Sequence, residues 1–542
     1  MDSQQEISLA ALIPPRARTV LELGCGAGVT GRRFKEIQPE CRYFGVDSDR
    51  EELRRAAKVL DRAAVEADWD IDLSRYGIDT LDCIMIHGAF WRGYESDAAR
   101  RLAYFCRFLS QDGQIVLVAG AEDSTDWLEK GMSGLPVQGY SRTSWREMTV
   151  IKLFRTMAPP LRIHTFAAEP ITARIRTTLP TICCNTEPGV IIREEYGYPD
   201  VNRLRDDEQI CMIQRCHLNN SENAEAVFAA LAGEHRLLIN EFDDAPFHWH
   251  TDSTYRSFVG VHVVQTSTSA LADVLREYNP YVLTVENQVA SLLPLRQPDL
   301  TSDHATIFFG AINRRDDWQE IMPILNETIQ RYGARLSFLV VGNREFYDAL
   351  RTENKEYFGG RDGEIAPYDT YLAAMQQADI ALLPLQDTPF NRLKSDLKFI
   401  EAASCGTVAL AAPTVYARTL RDGRTGFLYR DMREFRQLLS LLVESPLLRW
   451  ETAQLAYAYV RENRLLANHY EERIYAYREL LAHRDELEME RRRRMAKLRN
   501  VHVGEIIPSN GLSREYATAT KHVGERQIAI EHYNGAIDLD QI

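Results

Sequence analysis

The chain has 542 residues, of which 45% are hydrophobic and 26% charged, and a formal net charge of −14. That length exceeds what one hydrophobic core organises, so three domains are expected, and the acidic balance argues against a duplex nucleic-acid binder, which needs a strong basic footprint. Nine cysteines lie scattered with no C-x-x-C pair, which indicates neither a zinc module nor a disulfide scaffold and makes a reducing cytoplasm the simple location. No signal peptide is expected from the opening Met-Asp-Ser-Gln-Gln-Glu, and no run approaches the length of a membrane span.

Residues 1–168 alternate short apolar strands (19–23, 42–46, 81–86, 114–119) with amphipathic helices (29–37, 50–62, 95–109), the pattern of a parallel sheet covered on both faces. The first strand, Val20-Leu-Glu-Leu23, runs into Gly24-Cys-Gly26-Ala-Gly28-Val-Thr-Gly31. Glycines there let the backbone approach a ligand, and the helix that follows offers unpaired N–H groups. Asp47, closing the next apolar run, is placed to hold two ribose hydroxyls. Gly26-x-Gly28-x-x-Gly31 also fits a dinucleotide fingerprint. Glu22 argues against that cofactor, because a carboxylate at the strand tip repels a pyrophosphate by roughly 4 kcal/mol per charge pair at ~4 Å and an effective dielectric of ~20. It would instead attract an ammonium group. Asp68-Trp69 suits an adenine, the acid accepting its amino group and the indole packing on the ring. His87, just past the strand 81–86, is a candidate general base, with Trp91 and Tyr94 at the same mouth. A helix is predicted from Ser144 to Met157, followed by a strand at Leu161–Phe166 that closes the block.

From about 170 the alternation restarts, with strands near 209–214, 236–241, 261–265 and 282–285 and helices near 223–232 and 269–278. The segment Asn240-Glu-Phe-Asp243-Asp244-Ala-Pro246-Phe-His248-Trp-His250 is dense in polar groups. It reads either as a capping loop with Asp243 or Asp244 at a helix start, or as one wall of a cleft with His248 or His250 on a substrate; no metal site is expected from it. Pro294, Pro298 and the polar run 299–304 mark a linker. A third β/α block follows, with strands at 305–310, 336–342, 379–384 and 407–411 and helices at 317–331, 369–377 and 396–404. In it, Ser395 is a predicted N-cap, Asp396 complements the helix dipole and Gly406 is a predicted C-cap. Lys394, Lys398 and Glu401 share one side of the segment. Lysines at a helix start suit a diphosphate and a carboxylate one turn deeper suits a ribose. Arg314 and Arg315 follow the strand ending at Gly310, at the crevice of the sheet, and add cations. Residues 447–499 read as long helices. Arg491–Arg494 reads as a solvated helix face with local ion pairs, or as a contact for anionic lipid at the inner membrane face. Tyr457, Tyr459, Tyr470, Tyr475 and Tyr477 read as helix packing. No fold is assigned to the polar last forty residues.

Leu21-Glu-Leu-Gly-Cys-Gly-Ala-Gly28, with Val-Asp47 and Ala-Asp68-Trp, resembles the class I S-adenosylmethionine-dependent methyltransferases. The resemblance implies S-adenosyl-L-methionine as cofactor, held by Glu22, Gly24, Gly26, Gly28, Asp47, Asp68 and Trp69. Residues from about 170 to 485, most strongly Ile307–Leu428, resemble the family 4 glycosyltransferases of the GT-B fold. That resemblance implies a nucleotide-sugar donor facing Gly310, Arg314, Arg315, Tyr368, Lys394, Ser395, Lys398 and Glu401, with Glu401 on the ribose and Tyr368 near the base. The family commonly carries a second glutamate eight residues earlier; here that position is Leu393. The expected architecture is α/β: a Rossmann-like methyltransferase domain (1–168), two Rossmann-like GT-B domains (169–300 and 301–483), and a C-terminal helix and tail (484–542). The implied function is a bifunctional transferase that methylates a sugar hydroxyl and transfers a sugar, with retention, to a glycan or lipid-linked acceptor of bacterial polysaccharide synthesis. His87 and His248 are its candidate catalytic residues.

Overall fold

The structure, a computed structural model, describes residues 9–65, 73, 77–92, 97–120, 123, 125, 135–145, 148–168, 170–215, 224–246, 256–297, 299–312, 314–359 and 366–499. They form three sheets. The first holds β1 (Thr19–Leu23), β2 (Arg42–Asp47), β3 (Arg62–Val65), β4 (Leu81–His87), β5 (Leu109–Ala119), β6 (Gly139–Trp145) and β7 (Met148–Phe154), in the order β3-β2-β1-β4-β5-β7-β6. Strands β1 to β5 are mutually parallel, and β7 runs antiparallel to both β5 and β6. Every residue of β1 is buried, as a strand covered by helices on both faces must be. The chain reverses direction of progress between β1 and β4, which opens a crevice at their carboxyl ends.

The second sheet holds β8 (Leu161–Ala167), β9 (Val190–Tyr196), β10 (Ile210–Gln214), β11 (Leu237–Glu241), β12 (Val263–Thr266) and β13 (Val282–Thr284), ordered β13-β12-β11-β10-β8-β9. The third holds β14 (Ala305–Gly310), β15 (Leu336–Val341), β16 (Lys355–Phe358), β17 (Ile380–Leu383), β18 (Val408–Ala411) and β19 (Phe427–Leu428), ordered β16-β15-β14-β17-β18-β19. Both are wholly parallel. The third has its reversal between β14 and β17.

Several expectations are corrected. The helix predicted over Ser144–Met157 is instead the β6–β7 hairpin. Met148-Thr-Val-Ile-Lys-Leu-Phe154 is rich in β-branched and aromatic residues, and its pairing from Gln114↔Phe154 to Ala119↔Thr149 covers the edge that β5 would otherwise leave open. The Leu161–Phe166 strand does not close the first sheet; it lies at the heart of the second, between β9 and β10. The helix predicted at 50–62 stops at Ala56, after which β3 begins. The helix predicted at 317–331 is two pieces, Arg315–Trp318 and Met322–Tyr332.

Helix Pro446–Asn463 packs on the third sheet's core, and the chain then returns to the second. Helix Tyr470–Ala482 places Tyr470, Ile474 and Tyr477 in one cluster with Leu161, Ile163 and Ile239, whereas Tyr475 is exposed. Helix Arg484–Arg499 follows on the same domain. Its Glu488 sits 2.9 Å from His262 and Arg494 donates to the Val261 carbonyl at 2.8 Å. Within Arg491–Arg494, Arg491 and Arg492 both pair with Glu488, the local ion pairing that the run's acids predict. The first domain is attached through Arg16–Glu187 (3.0 Å) and a bond from Leu292 N–H to the Glu36 carbonyl (2.8 Å). No helix among the described residues is long and apolar enough to cross a membrane.

Candidate functional site

The first crevice sits over β1 and β4. Gly24, Gly26 and Gly28 have φ of 85°, 50° and 78°, left-handed values that glycine adopts without strain. Gly28 caps the helix Val29–Ile37. A Cβ on Gly28 would come within 3.1 Å of the Ala56 backbone and of Val59 and Leu60, so glycine here lets the turn pack closely on the neighbouring helix. Asp47 Oδ2 accepts the Gly26 N–H at 2.8 Å and its Oδ1 the Asp49 N–H at 2.9 Å. The acid is thereby fixed at the rim of the glycine turn. These features fit an adenosyl cofactor: open backbone beneath it and a half-buried carboxylate beside it.

Glu22 is placed differently from expectation. It is 1% exposed, and its two oxygens are taken by the Tyr43 hydroxyl (3.0 Å) and His87 Nε2 (2.8 Å). Burial, then the neighbouring carboxylate, pushes the Tyr43 phenol well above its usual range, so this hydroxyl stays a donor. The carboxylate therefore faces into the protein, because the apolar strand flanking it leaves no solvent to receive it. His87 is buried at the end of β4, and Trp91 packs in the sheet's core. Asp68, Trp69, Tyr94, His248 and His250 lie outside the described residues.

The second crevice lies where the second and third sheets meet. Glu401, on helix Leu397–Ser404, is 4% exposed. Its oxygens accept from Tyr368 (2.8 Å) and Tyr371 (3.1 Å), hydroxyls that stand one turn apart on helix Tyr368–Gln377. Burial raises the Glu401 carboxyl to about 7 despite these donors and Lys398. Lys398 donates to the Gly310 carbonyl, and burial, followed by Arg314, lowers its ammonium to about 8. Lys394 lies 3.5 Å from Asp244 and 4.3 Å over the Phe390 ring. Arg314 reaches Asp317 and Asn391, each at 3.3 Å, while Arg315 is exposed. Ser395 is not the N-cap: Asp396 takes that position without a side-chain capping bond. Ser395 Oγ instead accepts from Asn287 Nδ2 at 2.8 Å. Asp396 binds Arg464 through both oxygens (2.6 and 2.9 Å). Cys405, not Gly406, is the C-cap, and Gly406 follows it in the left-handed region at φ 71°.

The second sheet supplies groups that the motifs did not single out. Arg215 ends β10 at φ 52°, the one non-glycine positive φ among the described residues, and pairs with Asp243 at 2.6 Å. Arg174 lies 4.9 Å over the Tyr368 ring and 2.8 Å from Asp369. Thr268 donates to the Leu393 carbonyl at 3.0 Å. Of the alternatives for the Asp243-Asp244 loop, its acids turn toward Arg215 and Lys394, so the loop faces the lysine of the other wall. Tyr371 was legible as the i+3 neighbour of Tyr368. Arg174 and Arg215 were not, since only tertiary folding brings them there.

Two Rossmann-type crevices each hold a carboxylate, Asp47 on a sheet closed by an antiparallel hairpin and Glu401 beside a wholly parallel one. A family model described as "Glycosyl transferase-like" matches residues 321–495. Among solved structures, the chain is similar to Anabaena HepE in complex with UDP and glucose, at 13% identity and a TM-score of 0.39 over 58% of this chain and 98% of that one. It is also similar to S. aureus TarM (a point mutant in complex with fondaparinux, α-GlcNAc-glycerol and UDP), at 10% identity and a TM-score of 0.37 over 49% of this chain. It spans only 55% of the TarM chain. Synechocystis magnesium protoporphyrin IX methyltransferase with bound SAM aligns at 12% identity and a TM-score of 0.23, over 28% of this chain and 79% of that one. No curated protein matches.

Proposed function

We propose that the chain is a bifunctional transferase: an S-adenosylmethionine-dependent methyltransferase acting on a sugar hydroxyl, and a nucleotide-sugar-dependent glycosyltransferase that retains anomeric configuration, working together on a bacterial glycan or lipid-linked acceptor. The observation that carries this reading is the pair of carboxylates: Asp47 at the end of β2, held by the Gly26 and Asp49 N–H groups, and Glu401, on which the Tyr368 and Tyr371 hydroxyls converge. When bound, S-adenosylmethionine supplies an activated methyl group. The chain's part is to hold the ribose on Asp47, orient the acceptor and receive its proton. In the second crevice, Lys394, Lys398 and Arg314 offset the charge of a departing diphosphate while the Tyr368 ring stacks near the base and Glu401 holds the ribose.

A thermal-shift panel of S-adenosylhomocysteine, UDP, GDP and ADP tests both halves. One adenosyl ligand and one nucleoside diphosphate each raise the melting temperature, and their effects add. Asp47→Ala weakens S-adenosylhomocysteine about 20-fold by calorimetry, the loss of charge-assisted bonds to two hydroxyls, and leaves the nucleoside diphosphate unaffected. Unchanged adenosyl affinity would sink the first half of the proposal. Leu393 motivates a second reading, in which the GT-B unit binds glycan without transferring sugar. Sugar transfer or donor hydrolysis that disappears in Glu401→Ala rejects it.

A further inference from the structure

The occupation of Glu22 by His87 has a chemical consequence. It rests on the methyl-transfer reading and names the group that moves the proton in it. β1 and β4 pair up to Leu23↔Ile86, so His87 stands level with Gly24, the first residue of the glycine turn. A Cβ built on Gly24 would lie 3.2 Å from His87 Cβ and 3.6 Å from Cγ and Cδ2. The imidazole therefore packs its Cγ–Cδ2 edge against the turn itself. On that side Nε2 meets Glu22 Oε1 at 2.8 Å, and the other oxygen of Glu22 accepts from Tyr43 at 3.0 Å. Tyr43, Glu22 and His87 are 0%, 1% and 6% exposed. A carboxylate so enclosed fixes Nε2 as the protonated nitrogen and leaves Nδ1, on the opposite ring edge, as the basic one. His87 is the N-terminal flanking residue of the short helix Gly88–Trp91, yet its ring caps nothing, and among the described residues nothing hydrogen-bonds Nδ1. The other charged groups nearby are already paired. Asp123 stands over Gly88 and binds Arg92 at 2.8 Å, and Asp47 is tied to the Gly26 N–H.

The geometry points to a Glu22–His87 dyad in which His87 Nδ1 takes the proton of the hydroxyl being methylated, Glu22 is the positioning residue and Tyr43 holds Glu22 in turn. As the acceptor oxygen forms its bond to the methyl carbon, the C–S bond breaks with its electron pair remaining on sulfur. The hydroxyl proton passes to Nδ1, and the resulting imidazolium is stabilised by the Glu22 carboxylate against Nε2–H.

The test uses the whole chain with 15N-labelled histidine, His87 assigned by comparison with His87→Gln. The ligands are S-adenosylhomocysteine and sinefungin, an analogue that carries an ammonium where the transferable methyl belongs. In the S-adenosylhomocysteine complex His87 is the Nε2–H tautomer. In the sinefungin complex the Nδ1 resonance moves upfield, because the ligand's ammonium then donates to it. Sinefungin binds wild type about tenfold more tightly than S-adenosylhomocysteine, a margin that His87→Gln removes while leaving S-adenosylhomocysteine affinity within about threefold. Glu22→Gln mixes the tautomers, because an amide fixes Nε2–H less firmly than a carboxylate. Should Glu22→Gln not fold, Tyr43→Phe serves instead: it unties Glu22, so the Nε2–H tautomer loses its sharp preference. An Nδ1 resonance that does not move between the two complexes, or an Nδ1–H tautomer in wild type, overturns the dyad alone. Failure of wild type to bind either ligand overturns the methyl-transfer reading beneath it.

Discussion

Replacing Arg176 by methionine will lower the stability of the chain by about 3–5 kcal/mol, the cost of stranding a buried charge. Arg176 is 1% exposed and Glu241 fully buried. The guanidinium donates to both oxygens of Glu241, at 2.7 and 3.2 Å, to the Val285 carbonyl at 2.7 Å and to Asn287 Oδ1 at 2.7 Å. One side chain thus ties the helix region around 176 to the ends of β11 and β13 and to Asn287, which in turn holds Ser395. Methionine matches the stem but supplies no donor. Glu241 then keeps only Gln265 among these donors, and must either remain ionised without its cation or take up a proton. The double variant Arg176→Met/Glu241→Leu removes both charges and should recover most of the loss. Chemical denaturation, followed on the transition that includes the second sheet, measures both. A single-variant loss below about 1 kcal/mol, or a double variant no better than the single, would show that the pair is solvated rather than buried.

What could be read in advance was what is local in sequence. The strand, glycine turn and Asp47 lie within one βαβ unit, and their geometry follows from glycine's access to positive φ and the parallel pairing of β1 with β2. Lys398 and Glu401 sit three apart on one helix, so their shared face was legible before their partners were. Failures arose where the partner is distant. Asp396 reads as a dipole-complementing acid beside a capping serine, but its carboxylate is committed to Arg464, 68 residues on. That residue's guanidinium also holds the Asn287 carbonyl at 2.7 Å. Glu22 reads as an open carboxylate because sequence shows the acid and not the tyrosine and histidine that enclose it. The β6–β7 hairpin was missed because Val150, Ile151, Leu153 and Phe154 satisfy a helical spacing as well as a buried strand, and the edge of β5 decides between them.

The largest expected effect on ligand binding lies at Glu401. Glu401→Ala lowers nucleoside diphosphate affinity about 100-fold, the loss of two hydrogen bonds to a charged acceptor at roughly 1.5 kcal/mol each. In the structure those two acceptor positions are occupied by Tyr368 and Tyr371. Their hydroxyls hold the places that a ribose diol would take, so binding exchanges one pair of donors for another. Tyr368→Phe keeps the ring and removes one competitor, and is expected to tighten binding about fivefold. The pH dependence follows from the same burial. The Glu401 carboxyl is raised from 4.5 to about 7. Its ionised form, the one that accepts two hydroxyls well, prevails only above that pH, and affinity should fall by up to tenfold per pH unit below it. The Lys398 ammonium is lowered from 10.5 to about 8, so the cation facing the diphosphate is lost above that pH and affinity falls again. Binding is therefore strongest between about pH 7 and 8. Glu401→Gln removes the acidic limb and Lys398→Met the alkaline one. Stability responds with its own sign: a carboxyl raised by folding costs nothing below pH 4.5 and costs progressively more up to about 7, where the penalty levels off. Calorimetry with UDP, GDP and ADP from pH 5.5 to 9, a span set to bracket both midpoints by about one unit, decides the matter. A flat acidic limb in wild type would show that Glu401 does not hold the ribose.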